Sequence, residues 1–338
     1  MKHNGAKTDK NSFDGSLQTK GAFFRKSGYE LVQNQISDSA KRYLDPKTGE
    51  IDAVKTTERN CLVCGSVERR LLFKKNQFPH VKCLECDFIY VNPILCEDVL
   101  IDYYSGIKDS WAEMTEKDDY NEFQKKYYNF QVDNIQAQVT TSNHSILDIG
   151  CNNGEFLTVA RERGWTPFGH EINRYAVDLA RKKGIEVFDE KFSAEIFRGR
   201  KFGAITLFGV LEHLPYPGQF LEIVHSILEP GGVLTTHVPN ADSLVARVLQ
   251  EKCITFDGIE HVNFWNRDTF GRFLNEHGFE LAHAETAISE IYTLNNHLNF
   301  EHPYACPDES PLLLDVITPE YLHERFLGHL LCCSARPV

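Results

Sequence analysis

A chain of 338 residues has room for one large α/β domain and a smaller module, and 42% hydrophobic residues suffice for a sizeable core. Lys and Arg number 36 against 48 Asp and Glu, a formal charge of -12, which disfavours a phosphate-tracking surface and hence nucleic acid as a partner. The opening MKHNGAKTDKNSFDGS has no apolar leader, no stretch approaches the roughly 20 apolar residues of a membrane span, and the ten cysteines include two Cys-x-x-Cys pairs, so a soluble, cytoplasmic protein is expected.

Residues 1–58 are rich in Lys, Asn, Ser, Gly and Asp, with short apolar patches only at Phe23, Phe24 and Tyr29 to Val32. They are expected to be poorly ordered or loosely packed, with an arm over the substrate as the alternative. Residues 59–92 then carry Cys61, Cys64, Cys83 and Cys86 in the spacing Cys-x2-Cys-x18-Cys-x2-Cys. This predicts a zinc ribbon, with Gly65 and Asp87 at the knuckle turns and strands at Glu68–Lys74 and Val81–Lys82. So short a segment has little core, whereas a structural zinc contributes on the order of 10–16 kcal/mol in small modules. Four sulfurs leave no open position, so the metal would be structural rather than catalytic; a redox dithiol is the alternative reading. Residues 93–142 turn helical and aromatic, with Tyr103, Tyr104, Tyr127, Tyr128 and Phe130 packing on the next domain or lining an acceptor pocket.

From Ser145 to Glu171 the chain reads as a strand, a Gly-punctuated turn, a helix and a second strand closing on an acid. A dinucleotide site would have Gly-x-Gly-x-x-Gly and nothing negative beside the pyrophosphate. Here Gly150, Asn152 and Gly154 follow Asp148, whose carboxylate repels phosphate and suits an ammonium. Glu171 stands where an acid accepts hydrogen bonds from ribose hydroxyls, so the implied ligand is a ribose with a cationic amino-acid tail. Beyond it, strands and helices alternate: a helix capped by Asn173, strands at Ile185–Phe188, Ala204–Phe208 and Val233–Val238, and helices at Phe220–Leu228 and Arg267–His277. Strands at Phe279–Ala287 and Gly328–Ala335 close the chain around an insertion, residues 289–325, that is a candidate lid. In such sheets ligands sit at the carboxyl ends of the strands, where Asp148, Glu171, Phe208 and Asn240 fall.

The ordered runs LDIGCNNG, HE, LFGVLEHL and LEPGGVLTTHVPN resemble the motifs of class I S-adenosylmethionine-dependent methyltransferases of the small-molecule type, over about Ser142 to Val338. The resemblance implies a Rossmann-like, seven-stranded, mostly parallel sheet with helices on both faces and the last strand antiparallel, in residues 143–338. It places the methionine part of the cofactor on Asp148, Gly150, Cys151, Asn152 and Gly154, the ribose on Glu171 beside Ile172, and the adenine near Lys191 or Phe192, with Phe208 and Gly209 at the same edge. Asn152 stands where the family has a glycine, and Asn tolerates left-handed angles better than most residues. A zinc ribbon ahead of such a domain is distantly similar to nucleotide-sugar C-methyltransferases. That family, however, has a wider gap between its cysteine pairs, a further C-terminal domain, and a tyrosine where this chain has Gly258.

Because a sulfonium methyl is already activated, the protein has mainly to align donor and acceptor and remove the acceptor's proton. Two pairs qualify as acid-base groups, Glu212-His213 and Glu260-His261, the latter similar to an element of several sugar and quinone methyltransferases. His261 is the expected base, with Glu260 orienting it or gripping an acceptor hydroxyl, and His213 the second candidate. Asn240 is a polar wall or a local cap. The leading expectation is methylation of a small polar acceptor such as a sugar or nucleotide-linked sugar. An RNA methyltransferase using its ribbon to hold RNA, and a non-catalytic interaction scaffold, are the alternatives.

Overall fold

The computed structural model describes residues 29–106, 118–304, 313–314 and 316–338. Phe23, Phe24 and Cys306 lie outside the described residues. Residues 29–58, expected to be loosely packed, instead carry α1 (Tyr29–Ala40), a 3-10 turn at Lys41–Tyr43 and β1 (Thr56–Thr57). The cause is a helical set concealed in a polar composition. Ile36, Ala40 and Tyr43 recur at i, i+4 and i+7 and are buried with Leu100, Tyr103, Val245 and Phe264.

The cysteine segment folds as β2 (Arg69–Lys75), β3 (Phe78–Cys83) and β4 (Ile89–Val91), an antiparallel ladder, and β5 (Ile94–Leu95) then pairs with β1. The first strand is shifted by one residue and the second runs longer than expected, because Asn76 and Gln77 both take positive φ, 51° and 68°, and close the hairpin on two residues. Two helices follow, α2 (Glu97–Gly106) and α3 (Asp118–Gln138).

The alternating region comprises β6 (Ser145–Ile149), α4 (Glu155–Glu162), β7 (Thr166–His170), α5 (Arg174–Lys182), β8 (Glu186–Phe188), β9 (Phe202–Phe208), α6 (Pro217–Ile227) and β10 (Leu228–Pro239). It continues through α7 (Leu244–Leu249), β11 (Asn263–Phe264), α8 (Arg267–Glu276), β12 (Phe279–Ala287), α9 (Ile291–Leu298), α10 (Pro319–Glu324) and β13 (Leu330–Pro337). Seven strands form one sheet in the order β12-β13-β10-β9-β6-β7-β8, with β13 antiparallel to both neighbours and the pairs from β10 to β8 parallel. Alternate residues of β6 serve opposite faces. Ile146 packs with Phe156, Leu157 and Val177 of α4 and α5, whereas Leu147 and Ile149 share a core with Leu221 and Val224 of α6 and Phe270 and Phe273 of α8.

Several boundaries differ from the sequence reading, α6 beginning three residues early at Pro217 and β9 two residues early at Phe202, and two of the differences bear on the site. β10 begins at Leu228, which pairs with Phe202; the chain bulges through Glu229–Gly232 and resumes pairing at Val233 opposite Ala204. β13 begins at Leu330 because the residues before it serve Asn240, whose N–H donates to the His329 carbonyl at 2.7 Å and whose Nδ2 donates to the Gly328 and Phe326 carbonyls at 2.8 Å. Asn240 thereby anchors the end of the 289–325 segment beside the carboxyl edge.

One pairing crosses between modules. β11 adds to β4, with Asn263 opposite Tyr90, giving a four-stranded sheet in the order β11-β4-β3-β2. Among the described residues no helix is long and apolar enough to cross a membrane.

Candidate functional site

At the carboxyl edge of β6, Asp148 is buried and its Oδ1 accepts the Thr206 hydroxyl at 2.7 Å. Burial pushes its carboxyl up to about 7, against that hydrogen bond. Gly150 and Gly154 both take φ of 76°, and a Cβ on Gly150 would lie 2.9 Å from Cγ2 of Val210, so the loop after β6 closes directly on the loop after β9. Asn152 adopts φ of 49°. Glu171, immediately after β7, binds this loop: Oε2 accepts the Asn152 N–H at 3.0 Å, and Oε1 accepts those of Ile172 and Asn173 at 2.8 and 2.9 Å. Beside it Ile172 is 65% exposed, an uncovered apolar surface next to an acid. Cys151 is buried against Gly169, where a Cβ would meet its Sγ at 2.5 Å. Phe192 stacks on Phe220 with ring centroids 4.0 Å apart, while Phe208 stacks on His237 at 4.7 Å. Gly209 donates its N–H to the His237 carbonyl at 3.1 Å. A bulk-free loop, an acid at the second strand end and an exposed apolar side chain beside it suit a nucleoside with an amino-acid tail.

The loops after β9 and before β11 bring together Glu212, His213 and His261, with candidate ligand atoms all within 4.8 Å of one another. The two imidazoles meet edge to face at 4.7 Å. Residue 257 was not singled out in the sequence, yet it organises this corner. Asp257 is 2% exposed; its Oδ1 accepts the N–H groups of Ile259, Glu260 and His261, at 2.8, 2.7 and 3.2 Å. His261 Nδ1 lies 2.9 Å from the Thr255 carbonyl and 3.5 Å from Asp257 Oδ2, which places the proton on Nδ1 and leaves Nε2 as the acceptor. Burial opposes the His261 imidazolium, but Asp257 and Glu212 outweigh it and the pKa is raised. His213 is lowered well below the ordinary histidine value by burial and by His261. Burial raises Glu212 and Glu260 each to about 7. Glu260 accepts the Tyr103 hydroxyl at 2.7 Å, so one of the aromatics of α2 reaches the site.

The two Glu-His loops are locked to each other and to the cysteine segment. Asn263 Nδ2 donates to the carbonyls of Leu211 and Leu214, at 3.1 and 2.7 Å. Arg59, 5% exposed, donates to the carbonyls of Pro215 and Val262, each at 2.6 Å. Burial lowers its pKa to about 10, so it stays a cation at neutral pH.

Residues 120–284 match a family profile described as "Methyltransferase domain". They form a methyltransferase domain. The sheet order and carboxyl-edge loops are those of the class I, S-adenosylmethionine-dependent fold, and the chain is an enzyme of that kind. Among characterised relatives, the chain is 22% identical over 202 residues to a ubiquinone biosynthesis O-methyltransferase of Colwellia psychrerythraea, covering 55% of this chain and 82% of that protein. It is 28% identical over 105 residues to a protein of the same description from Nitrosococcus oceani, covering 29% of this chain and only 44% of that one. A solved S-adenosylmethionine-dependent methyltransferase from Archaeoglobus fulgidus superposes with a TM-score of 0.45 at 18% identity, covering 64% of this chain and 94% of that one.

In this methyltransferase one further side chain stands at the edge that the sequence reading passed over. His237, within the quoted run LTTHVPN, stacks on Phe208 and has Nδ1 2.9 Å from the Tyr127 hydroxyl; burial lowers its pKa to about 3, so its imidazole is neutral. Nothing in the local sequence separates it from a core histidine, because its partner is on α3.

Ahead of the methyltransferase domain, the four cysteines converge. Sγ of Cys61 lies 3.4 Å from that of Cys86, and Sγ of Cys64 lies 3.5 Å from that of Cys83. Both knuckles close the same way: Gly65 (φ 71°) and Asp87 (φ 66°) donate their N–H groups to the Cys61 and Cys83 carbonyls at 2.9 and 3.2 Å. Four thiolates on a tetrahedral zinc at about 2.3 Å stand about 3.8 Å apart, so these donors suit that ion with a small expansion. Cys96 is half-buried and outside the cluster.

Proposed function

We propose that this methyltransferase places a methyl group on a hydroxyl oxygen of a small polar acceptor, with sugars and nucleotide-linked sugars the first class to screen and phenols the second. The observation that carries this reading is the Glu212, His213 and His261 cluster, a proton-accepting centre formed where the loop before β11 meets the loop after β9, which packs against the Gly150 turn. Phenols come second because of the similarity to proteins described as ubiquinone biosynthesis O-methyltransferases.

S-adenosylmethionine, when bound, supplies an activated sulfonium methyl and leaves as S-adenosylhomocysteine. Asp148, Gly150, Cys151, Asn152 and Gly154 would hold its amino-acid tail, Glu171 its ribose, and Ile172, Phe192, Phe208 and Gly209 its remaining surface. Aligning the acceptor is worth about 7–11 kcal/mol and a general base about 100- to 10,000-fold. His261 is the base: with Nδ1 turned to Thr255 and Asp257, its Nε2 lone pair takes the hydroxyl proton as the oxygen–methyl bond forms. Glu260, steadied by Tyr103, would hold a neighbouring hydroxyl. In this reading Cys61, Cys64, Cys83 and Cys86 hold a structural zinc, and the segments 93–142 and 289–325 enclose the acceptor.

The test is isothermal titration of the protein and a Glu171→Ala variant with S-adenosylmethionine and S-adenosylhomocysteine, followed by labelled-methyl transfer to an acceptor panel. Weakening by about 1.5–3 kcal/mol in the variant fits loss of charged hydrogen bonds to the ribose. A folded wild-type protein that binds neither compound sinks the reading.

A further inference from the structure

We propose that Glu212, His213 and His261 form a second metal centre, separate from the four cysteines, that takes a divalent first-row transition ion. The donor set is two imidazoles and one carboxylate, with ligand atoms mutually within 4.8 Å. That set suits Fe2+, Mn2+, Co2+ or Zn2+ and leaves coordination positions open, whereas Mg2+ and Ca2+ favour oxygen donors throughout.

Proximity alone would not distinguish a metal site from a polar corner. Two further observations do. Glu212 is 2% exposed, and its Oε2 has no hydrogen-bond partner, a costly arrangement for a carboxylate oxygen. Each histidine, moreover, has one side of its ring committed to the backbone: His261 Nδ1 to the Thr255 carbonyl, and the His213 ring to the backbone of Glu260. Metal-binding histidines are held in this way, one ring N–H on a carbonyl or carboxylate and the other nitrogen facing the ion. Asp257 Oδ2, 3.5 Å from His261 Nδ1, supplies the outer carboxylate of such a set.

The supporting shell is also rigid. The Glu212 carbonyl accepts the N–H groups of Val262 and Asn263 at 2.8 and 3.2 Å, so the ligand-bearing loops cannot separate without breaking backbone bonds. In the loaded enzyme an acceptor hydroxyl entering an open position is ionised by coordination; its proton passes to water, and the oxygen then attacks the methyl carbon while the carbon–sulfur bond breaks. The unloaded enzyme relies on His261 as base. The catalytic part of this inference rests on the proposed methyl transfer to oxygen; the binding of the ion does not.

The test counts metal. Protein loaded at its cysteines is exposed to Zn2+, Mn2+, Fe2+ and Co2+ in turn, and metal per chain is read by elemental analysis beside Glu212→Gln and His213→Gln, with circular dichroism confirming the fold. About two equivalents are expected in the wild type and about one in each variant. The second Co2+ should show ligand-field bands without thiolate charge transfer, and Asp257→Asn should weaken its binding about 10- to 100-fold. One equivalent in a folded wild type with every ion overturns the proposal, as does a second equivalent that persists in both variants. S-adenosylmethionine titration on the same samples keeps the outcomes apart, since intact cofactor binding without a second ion sinks only the metal site.

Discussion

The backbone carbonyl of Glu212 accepts the N–H of Val262 at 2.8 Å, and this bond joins two Glu-His pairs that lie on different loops. Asp257 fixes one half of the unit, and Asn263 spans to the carbonyls of the other. The corner therefore moves as one body.

Tyr103 gives the most selective test of that corner. Tyr103→Phe removes the hydroxyl donor from Glu260 while keeping the ring in its core cluster. The acceptor KM should rise about 10- to 100-fold, as for the loss of a hydrogen bond to a charged group, with S-adenosylmethionine affinity unchanged. Equal losses in both constants would place Tyr103 in the general scaffold instead.

Gly150 tests the cofactor loop. Gly150→Ala sets a Cβ 2.9 Å from Val210 Cγ2 on a backbone at φ 76°, so strain and overlap act together. Stability should fall by about 1–3 kcal/mol and cofactor affinity by more than tenfold, read by thermal melting and titration. Gly164→Ala, at φ 91° with nothing within 4 Å of the added Cβ, is the control that carries the backbone penalty without the collision.

The pH dependence centres on Asp148. Its folded pKa is raised above the unfolded value to about 7, so its contribution to folding is present below the unfolded value and lost as pH rises through 7. The ligand-free protein should thus be less stable at pH 8 than at pH 5.5, and Asp148→Asn should remove only the share of that loss due to Asp148, since Glu212 and Glu260, raised to about 7 by burial, lose stability in the same window. Cofactor affinity should run the other way, rising about tenfold from pH 6 to pH 8 as the carboxylate ionises to meet an ammonium, with a flatter profile in the variant. A wild-type profile that tracks the variant would remove Asp148 from the ammonium site.

Much of this architecture was legible in the sequence because it is local. Asp148, Gly150, Gly154 and Glu171 occur within one strand-loop-helix-strand stretch, and the cysteine pairs announce themselves by spacing. What stayed hidden depends on contacts between distant residues: Tyr103 meets Glu260 157 positions away, and Arg59 meets the Val262 carbonyl 203 positions away. Asp257 was unreadable for a different reason. It serves neighbouring N–H groups, and an Asp-Gly pair in a loop looks like any other turn. The same blindness to long-range contacts led residues 29–58 to be read as loose, since Ile36 and Tyr43 have partners only in the folded core.

If the four cysteines hold zinc as proposed, removing it should affect catalysis more than cofactor binding. A mercurial that strips the thiolates would release β2 to β4, and with them the edge on which β11 and the His261 loop are paired. Turnover should drop more than tenfold while cofactor affinity changes less than about threefold, because among the described residues the Gly150 loop makes no hydrogen bond to that sheet. Zinc release followed with a colorimetric chelator, alongside activity, checks this; full activity after complete release would show that the small sheet holds without its ion.

The strand pairing of Asn263 with Tyr90 also bears on how the protein is made. During synthesis β4 emerges about 170 residues before its outer neighbour, a wait of about 10–35 s at ordinary elongation rates. Throughout that interval the nascent cysteine module has an open edge of the kind that pairs with foreign strands. The module is complete only once the ribosome has delivered most of the catalytic domain, so its first folding problem is one of timing.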